Sequence, residues 1–150
     1  MRPFKSLILI AAAAVFVSAG PVTSSGAMGK HAKALRNEMF QQVNASRRNN
    51  GVHPLKMNWR LSESALSHSR RMVRRHSVYH TTDLYSLVRR YNPHTWGENV
   101  GMAGTLRRME RLFMGSAPHR ANILNSAFKR IGVGVQRTNG HVWVTLDFYG

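Results

Sequence analysis

The chain of 150 residues contains no cysteine. This absence excludes a scaffold held by disulfides and excludes catalysis by a thiol. The fold must therefore be stabilised by a packed apolar core. A chain of this length is long enough for one such core, so we expect a single folded domain.

Acidic residues are scarce. The chain has 6 Asp and Glu against 22 Lys and Arg, which gives a formal net charge of +16. Such a surface attracts polyanions, so we expect anionic envelope polymers or an anionic membrane surface as partners. No basic stripe interleaved with aromatic residues occurs, so a specific nucleic-acid function is not expected. The oligomeric state is left open.

The sequence has no apolar run long enough to cross a bilayer. Its main run, Leu7–Val17, is preceded by Arg2 and Lys5 and followed by small residues, which is the layout of a secretory signal peptide. A spanning helix needs about 20 apolar residues, so a permanent N-terminal anchor is the less favoured alternative. We expect a secreted, extracellular protein.

The same pattern divides the chain into three parts. Small residues place the cleavage site after Ala19, with Ala27 as the second choice. The stretch that follows is small and polar without an apolar period, which is typical of a flexible leader. The predicted parts are a signal peptide over residues 1–19, a leader over 20–33 and one domain over 34–150.

Apolar periodicity near 3.6 residues predicts the helices of the domain. The first helix runs over about residues 34–48 and has Leu35, Met39 and Val43 as its apolar stripe. A short helix is favoured between residues 83 and 94. Two further helices begin after polar residues whose side chains can accept hydrogen bonds from the first backbone N–H groups. These capping residues are Asn58 and Thr105.

After residue 130 the apolar period changes to two, which is typical of strands. The dipeptide Asn139-Gly140 interrupts this pattern and predicts a type I′ hairpin turn. Gly132 and Gly134 leave one strand face bare, which suits close packing by a helix or an aromatic side chain. With a third strand from residues 96–100, the pattern predicts an α+β domain with helices against a small antiparallel sheet.

Two segments combine groups that can carry chemistry. Residues 115–124 place His119 between a proline-set turn and a short apolar run, and residues 96–100 place Glu98 between a glycine and an amide. A third group, His80, follows the second helix, where an imidazole can face a cleft. The three residues lie far apart in sequence and have none of the short spacings of a helix-borne or finger-type metal site.

A series of short motifs runs along the chain in a defined order: Asn44 and Arg47 before Gly51, Pro54-Leu55, Leu61, Ala65, Met72, His80, Gly97-Glu98-Asn99, Ser116 to Leu124, Ile131 to Val135, and Trp143 to Phe148. In order and spacing they resemble the CAP superfamily, also called the SCP domain. This superfamily comprises the cysteine-rich secretory, antigen 5 and pathogenesis-related 1 proteins and their bacterial relatives. The absence of cysteine departs from the animal and plant members and favours the bacterial branch.

The resemblance implies a three-layer α-β-α sandwich with a central cleft. It places His80, Glu98 and His119 in that cleft, and it places Ser116 where members often carry a second acid. Two imidazoles and a carboxylate can hold a divalent metal such as Zn²⁺ with an open coordination position. His80 and His119 are then the expected ligands and Glu98 is a third candidate. The alternative is a cluster in which Glu98 hydrogen-bonds both histidines without metal.

Ser116 bears on the choice between two functions. If Glu98 is engaged by metal or histidine, no carboxylate of the matched set remains as a general base. Glu110 is a candidate substitute, although an ion pair with Arg107 explains it as well. We therefore favour a secreted, non-enzymatic CAP module that binds a small apolar ligand or lipid, an envelope component or a partner protein. The alternative is a metal-dependent, protease-like hydrolase with Glu98 and His119 as catalytic candidates.

Overall fold

The computed structural model describes residues 25–150, with side chains from Gly29 onward. The predicted signal peptide over residues 1–19 and its cleavage site after Ala19 lie outside this part of the chain. No helix within residues 25–150 combines the length and the apolar character that crossing a membrane requires.

Five α-helices, one 3₁₀ turn and four strands make up the regular structure of residues 25–150. The helices are α1 (Ser25–Asn49), α2 (Trp59–Arg75), α3 (Leu84–Val88), α4 (Leu106–Gly115) and α5 (Ala117–Leu124), and the 3₁₀ turn is Arg89–Tyr91. The strands are β1 (Lys56–Met57), β2 (Trp96–Ala103), β3 (Arg130–Thr138) and β4 (His141–Tyr149).

The four strands form one sheet in the order β1-β3-β4-β2. The hairpin of β3 and β4 is confirmed, and both turn residues, Asn139 and Gly140, have the positive φ that a type I′ turn requires. The third strand is also confirmed, because β2 pairs antiparallel with β4. The sheet is mixed, because the two-residue strand β1, which the sequence analysis did not predict, pairs parallel with β3. The extended chain after Pro54 supplies β1.

One face of the sheet is covered by α2. Its backbone approaches β3 so closely that a Cβ at position 132 would lie 2.8 Å from the carbonyl carbon of Leu61. A Cβ at position 134 would overlap the backbone of Ala65. The helix α2 therefore packs on the bare strand face of Gly132 and Gly134, as expected.

The other face is covered by α1, α4 and α5, which completes the three-layer α-β-α sandwich. The apolar stripe of α1, Leu35, Met39 and Val43, is buried there as predicted. These residues join the main core with apolar residues of α4, α5, β3 and β4. The edge strand β2 contacts α3, α4 and α5.

The helix starts were predicted with mixed success. Asn58 and Thr105 are the caps of α2 and α4, and their side chains accept hydrogen bonds from the N–H groups of Leu61 and Arg108 at 3.0 and 3.1 Å. The helix α1 begins at Ser25, earlier than the predicted start near residue 34, so residues 25–33 of the predicted leader are helical and the alternative cleavage site after Ala27 lies in this helix. The first described side chains of α1 are mostly exposed. This part of the helix extends the packed part that follows it and needs no apolar face of its own, so no apolar period in the sequence indicates it.

Candidate functional site

The edge strand β2 carries the centre of the site. Glu98 faces the α2 side of the sheet opposite Asp147, and Asn99 faces the α5 side. Nδ2 of Asn99 donates to the carbonyl oxygen of His119 at 2.9 Å. Nδ2 of Asn122 donates to the carbonyl of Glu98 at 3.1 Å and to Oδ1 of Asn99 at 2.9 Å. These amides hold α5 and its histidine against β2.

The Glu98 carboxylate accepts three hydrogen bonds. Oε1 accepts from Nδ1 of His80 and from the backbone N–H of Thr81, both at 2.8 Å. Oε2 accepts from the hydroxyl of Thr81 at 2.6 Å. The side chain is 5% exposed. Since a carboxylate offers about four lone-pair sites, most of its accepting capacity is taken by the segment that carries His80.

His80 is oriented by this bond while its ring stays largely exposed, at 62% of the side-chain surface. Because Nδ1 donates to the carboxylate, the neutral ring carries its lone pair on Nε2. A carboxylate behind an imidazole fixes the tautomer and the orientation of the ring. His80 therefore presents a directed acceptor or ligand atom to solvent.

His119 lies in the first turn of α5, where Pro118 sets the backbone at the helix start. Its Nδ1 lies 2.9 Å from Oγ of Ser116, and its ring centroid lies 5.2 Å from that of Phe113. Burial, followed by the charge of neighbouring His80, lowers the pKa of His119. The imidazole thus stays neutral to a lower pH than a free histidine, with Nε2 unbonded among the described residues.

The donor chemistry fits a divalent ion only in part. Within residues 25–150, no three or more His, Asp or Glu side chains converge as a metal-binding group. Glu98 is directed at His80 and Thr81, which is the role of an orienting carboxylate and not of a third ligand. Nε2 of His80 and Nε2 of His119 are therefore the two imidazole nitrogens that could bind a metal. A metal on His80 and His119 stays a prediction on these grounds.

Residues 40–148 match the model of the CAP family, described as the cysteine-rich secretory protein family. The chain belongs to the CAP family. The resemblance inferred from the order of the motifs is confirmed.

Three bacterial proteins are similar to this CAP domain. The uncharacterised protein YkwD of Bacillus subtilis (strain 168) is 31% identical over 124 residues, which cover 78% of this chain and 48% of YkwD. A crystal structure of an extracellular protein containing an SCP domain from Bacillus anthracis gives a TM-score of 0.70 at 22% identity, over 87% of this chain and 45% of that one. An outer surface protein of Borrelia burgdorferi gives 0.69 at 15% identity, over 78% and 92%. The chain spans about half the length of YkwD.

The structural likeness establishes the CAP fold, an α+β sandwich, for this chain. The descriptions of the two solved proteins place those proteins outside the cytoplasm or at the cell surface. Their identities to this chain are low, so the likeness extends to the fold alone.

A second acid, which the sequence analysis missed, is buried next to the cleft of this chain. Asp147 lies on β4 in register with Glu98, is 1% exposed, and has no hydrogen-bond partner for either carboxyl oxygen among the described residues. Burial, and then the charge of Glu98, raises the pKa of Asp147 well above the usual value for an aspartate. The period-two pattern of β4 was the available signal, since Asp147 alternates with Leu146 and Phe148 on the face opposite the apolar residues.

Replacing this acid by its amide is expected to stabilise the fold. Folding raises the pKa of this acid. Such an acid favours the folded state most when the pH is below its pKa in the unfolded chain. This contribution is lost as the pH rises towards its pKa in the folded protein. Asp147→Asn should therefore unfold at nearly the wild-type temperature near pH 4. At pH 8 it should unfold several degrees higher, for a gain of about 1–3 kcal/mol. Thermal denaturation of both proteins across this pH range measures the difference. If the unfolding temperature of the wild-type protein rose relative to that of the variant as the pH increased, the interpretation of Asp147 as a buried acid would be wrong.

Other site predictions have clear outcomes in the structure. Glu110 does not reach the cleft: it accepts a hydrogen bond from the hydroxyl of Ser46 on α1, and no ion pair with Arg107 is found in the described part of the chain. Ser116 does lie beside His119. The sequence analysis missed Thr81, which donates two hydrogen bonds to the Glu98 carboxylate. A threonine next to a histidine forms no recognisable motif.

Proposed function

We propose that this protein is an exported CAP module that binds a ligand in the cleft of His80, Glu98, Ser116 and His119 and does not hydrolyse it. The observation that carries the proposal is the state of Glu98, whose carboxylate accepts from His80 and twice from Thr81. The carboxylate of Glu98 therefore holds His80 in one orientation. A carboxylate in this position supports the recognition of a ligand by the imidazole.

Hydrolysis would need a base within reach of an attacking water. Asp147 is buried between the sheet and α2, and Glu110 is hydrogen-bonded to Ser46 of α1. The residue beside His119 is Ser116, whose hydroxyl is engaged with the imidazole. Among the described residues, the cleft thus offers two imidazoles and no free carboxylate, which favours binding over the hydrolase alternative.

We propose in addition that Nε2 of His80 and Nε2 of His119 together bind a divalent ion such as Zn²⁺. Neutral imidazole is the preferred nitrogen ligand for zinc, and the lowered pKa of His119 favours the neutral form. When bound, the ion would supply a positive charge and exchangeable coordination positions for an anionic or carbonyl group of the ligand. The protein's own part is to orient the two rings through Glu98 and Ser116.

Calorimetric titration of metal-stripped protein with Zn²⁺ at neutral pH tests this proposal. His119→Ala removes a ligand atom and is expected to weaken binding at least about 100-fold. Glu98→Gln removes only the charge behind His80 and is expected to weaken binding about tenfold. His141→Ala is the matched control, because His141 is exposed on the β3–β4 hairpin and bonded only to the carbonyl of Asn139. It should leave the affinity unchanged.

Circular dichroism of each variant separates lost binding from lost folding. Absence of Zn²⁺ uptake by the wild-type protein, or equal binding by His119→Ala, would contradict the two-imidazole site. A loss in Glu98→Gln as large as that in His119→Ala would instead assign Glu98 as a direct ligand.

Export is the second part of the proposal and has its own prediction. The charged start, the short apolar run Leu7–Val17 and the small residues after it are expected to direct secretion with removal of the segment. Mass spectrometry of the extracellular protein should show a chain beginning at Gly20. Recovery of protein outside the cytoplasm with Leu7–Val17 intact would show that this run is an anchor.

A further inference from the structure

The second half of α2 carries a cluster of arginines without a balancing acid. Its four members are Arg70, Arg71, Arg74 and Arg75. No Asp or Glu lies between Glu63 and Asp83 in the sequence, and no ion pair to any of the four is found in the described part of the chain. Arginines four positions apart lie on the same side of the helix, where like charges repel each other. A bound polyanion would relieve this repulsion.

A groove lies between this part of α2 and the end of β3, away from the cleft. Its volume is about 350 Å³. The described residues of its wall include two arginines and no carboxylate; they are Arg70, Val73, Arg74, Gln136 and Thr138. The groove therefore presents positive charge to a ligand from one side and polar side chains from the other.

The two arginines of the groove are placed to bind anions. Nε of Arg70 donates to Oε1 of Gln136 at 3.3 Å, which orients the guanidinium beside the groove. The Nη groups of Arg70 and the guanidinium of Arg74 have no hydrogen-bond partner among the described residues. A guanidinium presents a planar fork of N–H donors that matches two oxygens of one phosphate. The two residues lie about 6 Å apart along the helix axis, so they can bind neighbouring phosphates of one chain.

The shape and the wall of the groove discriminate between kinds of polyanion. A groove of this volume admits one thin chain, whereas a nucleic-acid duplex or a bilayer surface needs a broad basic face. Proteins that bind single-stranded nucleic acid stack its bases on aromatic side chains, and the described wall of this groove contains none. A phosphodiester carries its charge in the backbone of the chain, while the carboxylates of an acidic polypeptide stand on side chains that need more width. These features favour a phosphodiester chain without bases.

We propose that this groove binds a base-free phosphodiester polymer, such as polyglycerol phosphate, with successive phosphates on Arg70 and Arg74. The hydroxyl of Thr138 adds a donor at the β3 side, and Arg71 and Arg75 add attraction from the same helix. Binding through phosphate contacts depends strongly on salt. The site needs neither a metal ion nor the cleft, so it goes beyond the function proposed above and is tested independently of it.

Calorimetric titration of the exported protein with a synthetic hexamer of glycerol phosphate tests the proposal. We expect saturable binding whose affinity falls between about 50 mM and about 200 mM salt. Hexaglutamate, which has carboxylates in place of phosphates, should bind at least about tenfold more weakly. Hexathymidylate, which adds bases to a phosphodiester chain, should bind at least about threefold more weakly.

Two double variants separate the groove from general charge attraction. Arg70→Gln with Arg74→Gln should lower the affinity for the hexamer at least about tenfold and reduce the slope of log affinity against log salt by about 1.4. Arg107→Gln with Arg111→Gln is the matched control, because these two arginines have the same spacing on α4 and lie outside the groove. It should lower the affinity about twofold at most. All four positions are exposed, so both variants should fold, which circular dichroism checks.

The place of binding is read from a ¹H–¹⁵N spectrum. The hexamer should shift the backbone signal of Thr138 and the side-chain amide signal of Gln136, and leave the side-chain amide of Asn122 in the cleft in place. Unmoved groove signals, or equal losses of affinity in the two double variants, would overturn the site. Equal affinity for hexaglutamate, or tighter binding of hexathymidylate, would overturn the choice of a base-free phosphodiester.

Vesicles of phosphatidylglycerol distinguish the polymer from a membrane, because they present a glycerol phosphodiester at a flat surface. We expect both double variants to lose vesicle binding equally, since general charge attraction acts there. If vesicle binding fell more in the Arg70 and Arg74 variant than in the control, the arginines would serve a membrane surface and the proposal would be wrong.

Discussion

Gly134→Ala is expected to reduce the free energy of unfolding by about 3 kcal/mol or more, or to prevent folding. The added Cβ would overlap the backbone of Ala65 and Leu66, which cannot rotate away as a flexible side chain would. The helix α2 would have to move off β3, which opens the packing of one whole layer. Overpacking of a core usually costs about 1–3 kcal/mol, and a clash with backbone lies at or beyond the upper end. Thermal denaturation should show a fall of about 10 °C or more.

The matched control is Gly104→Ala, because a Cβ at position 104 meets nothing within 4 Å and lies in the turn after β2. This variant should unfold within a few degrees of the wild type. If Gly134→Ala proved as stable as Gly104→Ala, the close approach of α2 to β3 would be wrong.

Arg47→Met is expected to be comparably destabilising, and it should also impair the cleft. Arg47 is 1% exposed and donates to backbone carbonyls of the linker after α1, of the end of α5 and of the segment that follows α5. The acceptors are the carbonyl oxygens of His53 at 2.7 Å, Ile123 at 2.6 Å, Asn125 at 2.9 Å and Phe128 at 3.3 Å. Without the guanidinium these buried carbonyls lose their partner, at a cost of about 1–3 kcal/mol for each one left unsatisfied.

Because α5 carries His119, its loosened end should weaken Zn²⁺ binding even where the variant still folds. Arg48→Met is the control, since the neighbouring arginine is exposed at the end of α1. Urea denaturation of both variants gives the free energies of unfolding, which should differ by about 3 kcal/mol or more. Equal stability of the two variants would show that the carbonyls find other partners.

Local signals account for the parts of the fold that were predicted correctly. Asn58 and Thr105 cap helices through bonds to residues three positions away, and Asn139-Gly140 sets its hairpin through its own φ values. Gly132 and Gly134 were informative because a missing Cβ in a strand is itself a packing feature. Each of these features is decided within a few residues, so the sequence shows it directly.

Tertiary contacts decide the parts that were missed. The strand β1 has two residues and exists only through its pairing with β3. The helix α5 is short, and its carbonyls are held by Arg47 from α1, far away in sequence. Asp147 is an acid in a strand that the sequence predicts, yet its burial depends on α2 lying above it. No local pattern contains this information.

The candidate site shows the same division. The identities of His80, Glu98 and His119 followed from a family resemblance, since their spacing carries no motif. The structure brings His80 and Glu98 into contact at 2.8 Å and places His119 near enough for the charge of His80 to lower its pKa. The role of Glu98, however, rests on Thr81, whose N–H and hydroxyl take two of its acceptor positions. That role was accessible only from the geometry.

Long-range ¹H–¹⁵N spectroscopy of the imidazole rings tests the central claim most directly, because it reports the state of each ring nitrogen. In the metal-free protein at neutral pH, Nδ1 of His80 should be protonated and Nε2 should carry the lone pair. On addition of Zn²⁺, the Nε2 signals of both His80 and His119 should shift together, while Nδ1 of His80 stays protonated against Glu98. A His80 ring protonated on Nε2 in the metal-free state, or Nε2 signals that do not respond to Zn²⁺, would contradict the account.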